Sequence, residues 1–454
     1  MRAVDLHTGR IAIWGLGREG RAAIGLLRAR HPDLPLLLLD DDTAAKAPDG
    51  FRGVECAFGG EAIARALGRI DVLVKSPGVS LYRPEIAIAR ARGVAITSLL
   101  NLWFAEKPAI ATICVTGTKG KSTTASLIAH LLGRLGRRVA LAGNIGVPVT
   151  EIDPRVCDHA VIEMSSYQAA DFCGCCDIAV LTSLYPEHID WHRTLAAYFH
   201  DKLNLLRHSR VAIVNYQAAA TIAEFDDAPL PRGETFNDVT GLHAKDREIF
   251  DGDRPIGTVA NRYLSRPHNL SNLCAALSVA KRLGLDLAAA LEATADFQAL
   301  PHRQQELGEI GGVLFVDDSI STAPESTLAA LEVYAGRHIA VIVGGYDRGI
   351  NYGKLVAALA AGAARAVICL GNSGERIWAG LRAAAAGSEG CAASAYRAQS
   401  MEDAVGLARR LAAPGGVVLL SPAAPSYGYY RDFAERGRDF ARIASLAGDP
   451  QTTR

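Results

Sequence analysis

The 454-residue chain has no run of about 18 uncharged apolar residues, so no segment reads as a membrane-spanning helix. It has no excess of either charge: 48 basic against 48 acidic side chains leave no general field for a polyanion, which removes nucleic acid as an expected partner. Its opening, Met1-Arg-Ala-Val-Asp-Leu-His-Thr8, lacks the apolar stretch of a signal peptide, so the expected location is cytoplasmic, with no membrane insertion. Cysteine is scattered apart from Cys173, Cys175 and Cys176. A zinc site wants a second ligand pair at suitable spacing, and Cys157 with His159 is only a loose one, so reduced thiols packed as small apolar groups are the favoured reading. The length exceeds one ordinary core and calls for about two to four domains of ~100–200 residues.

The most informative stretch is Thr116-Gly-Thr-Lys-Gly-Lys-Ser-Thr-Thr124. An apolar strand, Ala109 to Val115, precedes it, and a helical run beginning at Ala125 follows. In that setting Gly117 and Gly120 let the N–H groups of Thr118 and Lys119 close around phosphate oxygens, Lys121 adds positive charge, and the Ser122 or Thr123 hydroxyl reaches Mg²⁺. The usual first glycine of such a loop, five residues before Gly120, is Val115 here, which marks a shortened form. The expected cofactor is ATP.

Three segments follow from strand and helix alternation: 1–104, 105–300 and 301–454. The first opens with a strand ending at Trp14, then Gly15-Leu-Gly-Arg-Glu-Gly20, a helix, and a second strand, Leu34 to Leu39, ending in Asp40-Asp-Asp42. That βαβ opening also suits a dinucleotide such as NAD. A third strand, Val72 to Lys75, runs into Ser76-Pro-Gly78, a phosphate-facing loop or a plain turn. In the second segment Glu163 and His188 fall at the carboxyl ends of expected strands, where ligands of parallel sheets collect, and a carboxylate beside a phosphate-loop hydroxyl suits Mg²⁺. In the third, four strands deliver polar or glycine-rich loops to one sheet edge.

The ordered set Thr116–Thr124, Gly143-Asn-Ile-Gly146, Glu163-Met-Ser-Ser-Tyr-Gln168, Glu187-His-Ile-Asp190, Lys202, His268-Asn-Leu-Ser-Asn272, Pro301-His-Arg303, Asp318-Ser319 and Leu420-Ser-Pro-Ala423 resembles the Mur ligases of peptidoglycan synthesis, within them the glutamate-adding branch. The resemblance covers almost the whole chain. It implies an α/β fold of three domains: an N-terminal Rossmann-like UDP-binding domain, a central P-loop ATPase-type domain with a parallel sheet, and a C-terminal Rossmann-like domain for the amino acid. It implies an acyl phosphate made with ATP and attacked by the glutamate amine, chemistry carried by positioning and charge stabilisation. Lys121 would then serve the phosphates, Ser122 or Thr123 and Glu163 one Mg²⁺, and His188 a second, aided by a carbamylated lysine for which Lys202, fourteen residues on, stands at the family's offset.

By the same resemblance Asn272, Arg303 and Asp318 contact ATP and Asn144 lies near the UDP-sugar. Arg18, Glu19, Gly20, Ser76 and Gly78 lie near the diphosphate or uracil, and Thr322, Arg348, Ser426 and Tyr430 near the amino acid. The expected partners are UDP-N-acetylmuramoyl-L-alanine and glutamate, on a monomer.

Departures cluster on the amino-acid and uracil sides. Asp318-Ser-Ile-Ser-Thr-Ala323 lacks a lysine and an asparagine of the D-glutamate-adding enzymes, Glu19 stands for their Ser or Thr, Asp41-Asp42 for a Thr-Arg pair, and Pro425-Ser-Tyr-Gly428 for Ala-Ser-Phe-Asp. In these respects the chain resembles a divergent branch of the family that adds L-glutamate and leaves a separate epimerase to invert the centre afterwards, so the resemblance implies L-glutamate. Since inversion exchanges the directions of side chain and α-carboxylate, Ile320, Ala323 and Tyr427 are where such a change is expected. D-Glutamate is the alternative, and a folylpolyglutamate-type ligase, which would not be expected to have the N-terminal nucleotide-like domain, a more distant one.

Overall fold

The computed structural model describes residues 2–6, 9–43, 54–106, 109–225, 229–298, 300–347, 349–387 and 393–444. The chain forms two compact units, Met1–Phe297 and Gln298–Arg454. The first carries two sheets and the second carries one.

The first sheet is built from β1 (Ile11–Trp14), β2 (Leu36–Asp40), β3 (Glu55–Phe58), β4 (Val72–Lys75) and β5 (Ala95–Thr97), in the order β3-β2-β1-β4-β5 and parallel throughout. β1 is buried at all four positions, as a strand covered on both faces must be. β2 starts two residues after the expected Leu34 because Pro35 has no N–H to give a ladder. β3, with exposed Glu55 and Cys56, was not anticipated from hydrophobicity.

The second sheet carries β6 (Ala111–Thr116), β7 (Val139–Gly143), β8 (His159–Glu163), β9 (Cys176–Leu181), β10 (Ser209–Asn215), β11 (Gly233–Phe236), β12 (Leu242–Lys245), β13 (Glu248–Asp251) and β14 (Arg254–Thr258). Its order is β14-β13-β12-β11-β10-β9-β6-β8-β7, parallel from β12 to β7 and antiparallel through β12, β13 and β14. β6 lies between β9 and β8, so the loop leaving it is flanked by the carboxyl ends of both, the crevice where open α/β sheets bind ligands. The helix Lys121–Arg134 buries Leu127, Ile128, Leu131 and Leu132 against Val115, Val161 and Val180 on one face of this sheet.

The third sheet, in the second unit, comprises β15 (Gln305–Ile310), β16 (Val313–Asp317), β17 (Ile339–Val343), β18 (Ala366–Leu370), β19 (Ser394–Ala398) and β20 (Val417–Leu420). The order is β15-β16-β20-β17-β18-β19, parallel but for β15. No helix among the described residues is long and apolar enough to cross a membrane.

Candidate active site

The phosphate loop leaves β6 at Thr116 and turns into the helix at Lys121. Gly117 has φ +148°, and a Cβ there would lie 2.0 Å from Thr182 Oγ1. At Gly120, with φ +87°, a Cβ would meet Asn272 Oδ1 at 2.4 Å. Only glycine fits these backbone angles and this crowding. The loop is fastened from β9: Thr118 N donates to Ser183 O at 2.9 Å, Lys119 N to Ser183 Oγ at 2.8 Å, and Thr182 Oγ1 to Lys119 O at 2.5 Å. Asn272 Oδ1 accepts from Thr124 Oγ1 at 3.2 Å, while its Nδ2 donates to Asn269 Oδ1 at 3.1 Å.

Two lysine amines converge on one carbonyl of the loop. Lys121 Nζ donates to Gly117 O at 2.9 Å and to Thr118 O at 3.0 Å, and Lys202 Nζ donates to Gly117 O at 2.9 Å. Lys202 rides on the helix Leu195–Arg207 and is 1% exposed. Burial, reinforced by Lys121, holds its pKa well below the usual lysine value. The structure thus places a fully buried, easily deprotonated amine at the loop where sequence reading alone would see a surface lysine.

Glu163 closes β8 opposite Val115 in register. Its Oε1 accepts from Asn144 Nδ2 at 2.9 Å and its main-chain O from Asn144 N at 2.9 Å. The carboxylate is 1% exposed, and Oε2 is buried with no hydrogen-bond partner. A buried charge without a partner is costly unless a cation completes it. Ser122 and Thr123 occupy the first turn of the helix after the loop, both buried.

His188 has a left-handed backbone, φ 57°, and its ring centroid lies 5.0 Å from that of Tyr167. Burial lowers its pKa to about 4, Glu187 opposes this, and Lys202 and Lys121 add to it. The imidazole is therefore neutral at pH 7, the form that ligates metals. Lys119 Nζ pairs with Glu187 Oε1 at 2.8 Å.

The first sheet's residues divide. Arg18 Nη1 donates to Gly146 O at 2.6 Å, spanning from the first segment to the Gly143–Gly146 turn near Asn144. A Cβ at Gly20 would lie 1.9 Å from Gly15 O, so this glycine serves helix-to-strand packing. Ser76 Oγ donates to Gly15 O at 2.7 Å, and Gly78 has nothing within 4 Å of an added Cβ. Asp40 Oδ2 accepts from Leu16 N at 2.8 Å, so this carboxylate pins the glycine loop. Glu19 Oε1 accepts a hydrogen bond from Gln168 Nε2. Close by, Lys75 Nζ stands 3.2 Å from Asp171 Oδ2, both nearly buried. Burial raises Glu19 to about 7.

The second unit is described by itself. Asp318 is 1% exposed; it accepts from Ser321 Oγ at 2.6 Å, Ser421 Oγ at 2.8 Å and Gln304 N at 3.1 Å, and burial raises it to about 6. Arg303 lies in the turn before β15, its N–H donating to Leu300 O at 3.1 Å, and Thr322 is half-buried after that same Asp318 loop. Ser426 and Tyr430 line a cavity of about 190 Å³ with Gly344, Gly371, Tyr429 and Arg436. Tyr430 is tied by its hydroxyl to Asp439 Oδ2 at 2.8 Å. Arg348 lies outside the described residues.

Several residues at the phosphate loop were not singled out from the sequence. Tyr198, 0% exposed, shares a 2.8 Å hydrogen bond with Thr118 Oγ1; it sits one helical turn before Lys202, and that i, i+4 spacing was the available signal. Thr182 and Ser183 carried no local signal, because their roles come from contacts with distant chain.

The Mur ligase middle-domain profile matches residues 115–280, and the Mur ligase glutamate ligase domain profile matches residues 302–424. The UDP-N-acetylmuramoyl-L-alanine–L-glutamate ligase of Xanthomonas euvesicatoria pv. vesicatoria is 42% identical over 98% of this chain and 97% of its own. Proteins of that name from Xylella fastidiosa (strain Temecula1) and Salinispora tropica are each 40% identical over 99% of this chain, and over 98% and 100% of their own. Among solved structures, the UDP-N-acetylmuramate–alanine ligase MurC of Thermotoga maritima superposes with a TM-score of 0.57 at 19% identity, covering 97% of this chain and 100% of that one. The MurF ligase of the same organism, solved in complex with ADP, gives 0.56 at 15% identity over 98% and 96%. The fold is accordingly the three-domain α/β architecture, and the chain belongs to the Mur ligase family of ATP-dependent amino-acid ligases.

Proposed function

We propose that this chain joins L-glutamate to UDP-N-acetylmuramoyl-L-alanine in peptidoglycan precursor synthesis, releasing ADP and phosphate. The convergence of Lys121, Lys202 and the half-satisfied Glu163 around the Gly117 loop is the observation that carries the reading, and the names of the 40–42% identical relatives support its substrates. In the first step a carboxylate oxygen of the UDP-substrate attacks the γ-phosphorus of ATP; the new C(O)O–P bond forms as the β–γ P–O bond breaks, and ADP leaves. In the second, the glutamate nitrogen attacks the acyl carbon, loses a proton, and expels phosphate. Lys121, freed from its loop carbonyls, meets the phosphate charge with a charged hydrogen bond.

The donor set suits Mg²⁺. Glu163 Oε2, buried and without a partner, and the Ser122 hydroxyl would hold one ion; neutral His188 and a carbamylated Lys202 would hold a second. Among the described residues no three His, Cys, Asp or Glu converge, so nucleotide oxygens and water complete the shell, as Mg²⁺ prefers. When bound, the ions neutralise phosphoryl oxygens. Carbamylation forms an N–C bond between neutral Lys202 Nζ and CO₂ and releases one proton to water; the depressed pKa makes that neutral amine available.

Within this reading, residues 1–104 hold the UDP moiety, 105–300 hold ATP and 301–454 hold the amino acid. Arg18, Glu19, Gly20, Ser76 and Gly78 serve the first, and Asn144 the sugar side. Asn272, Arg303 and Asp318 serve ATP, and Thr322, Arg348, Ser426 and Tyr430 the glutamate. Arg348 suits a carboxylate because a guanidinium forms paired hydrogen bonds. The enzyme works as a monomer, and an L-glutamyl product requires a separate epimerase to act on it. ADP release measured with ATP, UDP-N-acetylmuramoyl-L-alanine and L-glutamate, omitting each in turn, tests the reading. Release that proceeds without the UDP-substrate or without the amino acid defeats it.

A further inference from the structure

The loop after β4 is tied to the short helix Ile189–His192 and to the lysine-bearing helix by side chains that the reaction above does not use. Ser80 Oγ donates to Trp191 O at 2.7 Å, and Trp191 Nε1 donates to Pro77 O at 3.1 Å. From the same loop, Tyr82 OH donates to Asp201 Oδ2 at 3.0 Å. That same oxygen lies 2.6 Å from His192 Nδ1, and His192 Nε2 lies 3.0 Å from Ser166 Oγ. Facing a carboxylate, Nδ1 carries a proton and donates to Asp201, while Nε2 shares a hydrogen bond with the serine hydroxyl.

Serine, histidine and aspartate in this order resemble a hydrolytic triad, but burial excludes that role. Ser166 is 2% exposed, His192 0% and Asp201 5%, so no acyl group reaches the hydroxyl. The connectivity has a different use. Asp201 directly precedes Lys202, and Ser166 follows Glu163 by three residues, so the chain of bonds touches both segments that carry the expected metal ligands. Its far end, Tyr82, belongs to the first segment, 119 residues from Asp201. A buried carboxylate with two donors is anchored in one place, and losing either leaves it under-satisfied.

We propose that Tyr82, Asp201 and His192 form a positioning relay through which docking of the first sheet sets the helix Leu195–Arg207 and so the placement of Lys202 Nζ at Gly117 O. The relay rests on the assignment of Lys202 given under the proposed function. It makes assembly of the UDP-binding segment a condition for a competent lysine. None of the three side chains touches substrate; they act through Lys202, where a misplacement of about 1 Å lowers turnover steeply.

The test uses the full chain with Tyr82→Phe, His192→Leu and His192→Asn, the last retaining an N–H toward Asp201. Three quantities are read: kcat and KM for ATP and the UDP-substrate, the thermal midpoint, and the carbamate carbon resonance after equilibration with ¹³C-bicarbonate. For Tyr82→Phe, kcat falls about tenfold with both KM values within about twofold, and the carbamate resonance shifts, as expected for one lost bond to a buried carboxylate. His192→Leu loses the resonance and the activity, and His192→Asn recovers both. The relay is overturned by parental kcat and an unshifted resonance in Tyr82→Phe, or by His192→Asn and His192→Leu failing alike with lowered midpoints. If His192→Leu does not fold, Tyr82→Phe decides alone. Absence of the resonance in the unsubstituted chain overturns the lysine assignment instead, and the kcat comparison still judges the relay.

Discussion

Replacing Glu19 by glutamine should make the protein more stable, and increasingly so as the pH rises. The carboxylate is part-buried beside Gln168 and near the Lys75–Asp171 pair, an arrangement with one cation against two acids. Burial raises its pKa from 4.5 to about 7. An acid whose folded pKa is raised binds its proton more tightly when folded, so its stability contribution is full below pH 4.5 and is lost as pH climbs to about 7. The loss spans about 2.5 pH units, which at 1.36 kcal/mol per unit is about 3 kcal/mol. Glutamine keeps the acceptor for Gln168 and carries no charge. The thermal midpoint of Glu19→Gln should match the parent near pH 5 and exceed it at pH 8 by on the order of 5 °C. A difference that is constant from pH 5 to pH 8, or a lower midpoint at pH 8, refutes the reasoning.

Other substitutions separate stability from chemistry. Glu163→Gln removes a buried, half-satisfied charge, so the thermal midpoint should hold or rise while turnover falls at least about a hundredfold and the Mg²⁺ requirement increases, read from ADP release against Mg²⁺ concentration. Gly117→Ala forces a Cβ to 2.0 Å from Thr182 Oγ1, and ADP binding by calorimetry should weaken about a hundredfold, whereas Gly133→Ala, with nothing within 4 Å, should leave it unchanged. Tyr198→Phe deletes the 2.8 Å bond with Thr118 Oγ1 and should raise the KM for ATP by about five- to tenfold, a loss of about 1 kcal/mol.

What sequence reading captured and missed has a physical pattern. The phosphate loop was legible because its glycines, lysine and hydroxyls act through local backbone, and the structure places β6 and the following helix around it. Glu163 was legible as the last residue of a short apolar strand. Lys202 was not legible from its own surroundings, since a lysine on an amphipathic helix looks solvated; only the family offset pointed to it, and its burial depends on Gly117, 85 residues away. Thr182, Tyr198 and the Tyr82–Asp201–His192 chain depend on similarly distant partners. β12, β13 and β14 escaped notice because they are four or five residues long, partly polar, and hold together by antiparallel pairing rather than by an apolar run. The bond between Glu19 and Gln168 was not legible because spacing gives the position of a side chain on a loop and not the direction in which it turns.

The enantiomer of the amino acid bears most directly on the central claim, since Ile320, Ala323 and Tyr427 are where the sequence resemblance places the expected difference between L- and D-glutamate addition. In the structure Ile320 N donates to His302 O at 3.1 Å, and exposed Tyr427 meets Tyr346 edge-on at 6.2 Å between ring centroids. ADP release with ATP, Mg²⁺ and UDP-N-acetylmuramoyl-L-alanine should be measured with each enantiomer of glutamate, followed by chiral analysis of the hydrolysed product. Turnover with L-glutamate, an L-glutamyl product and little turnover with D-glutamate are the predicted results; turnover confined to D-glutamate would contradict the account.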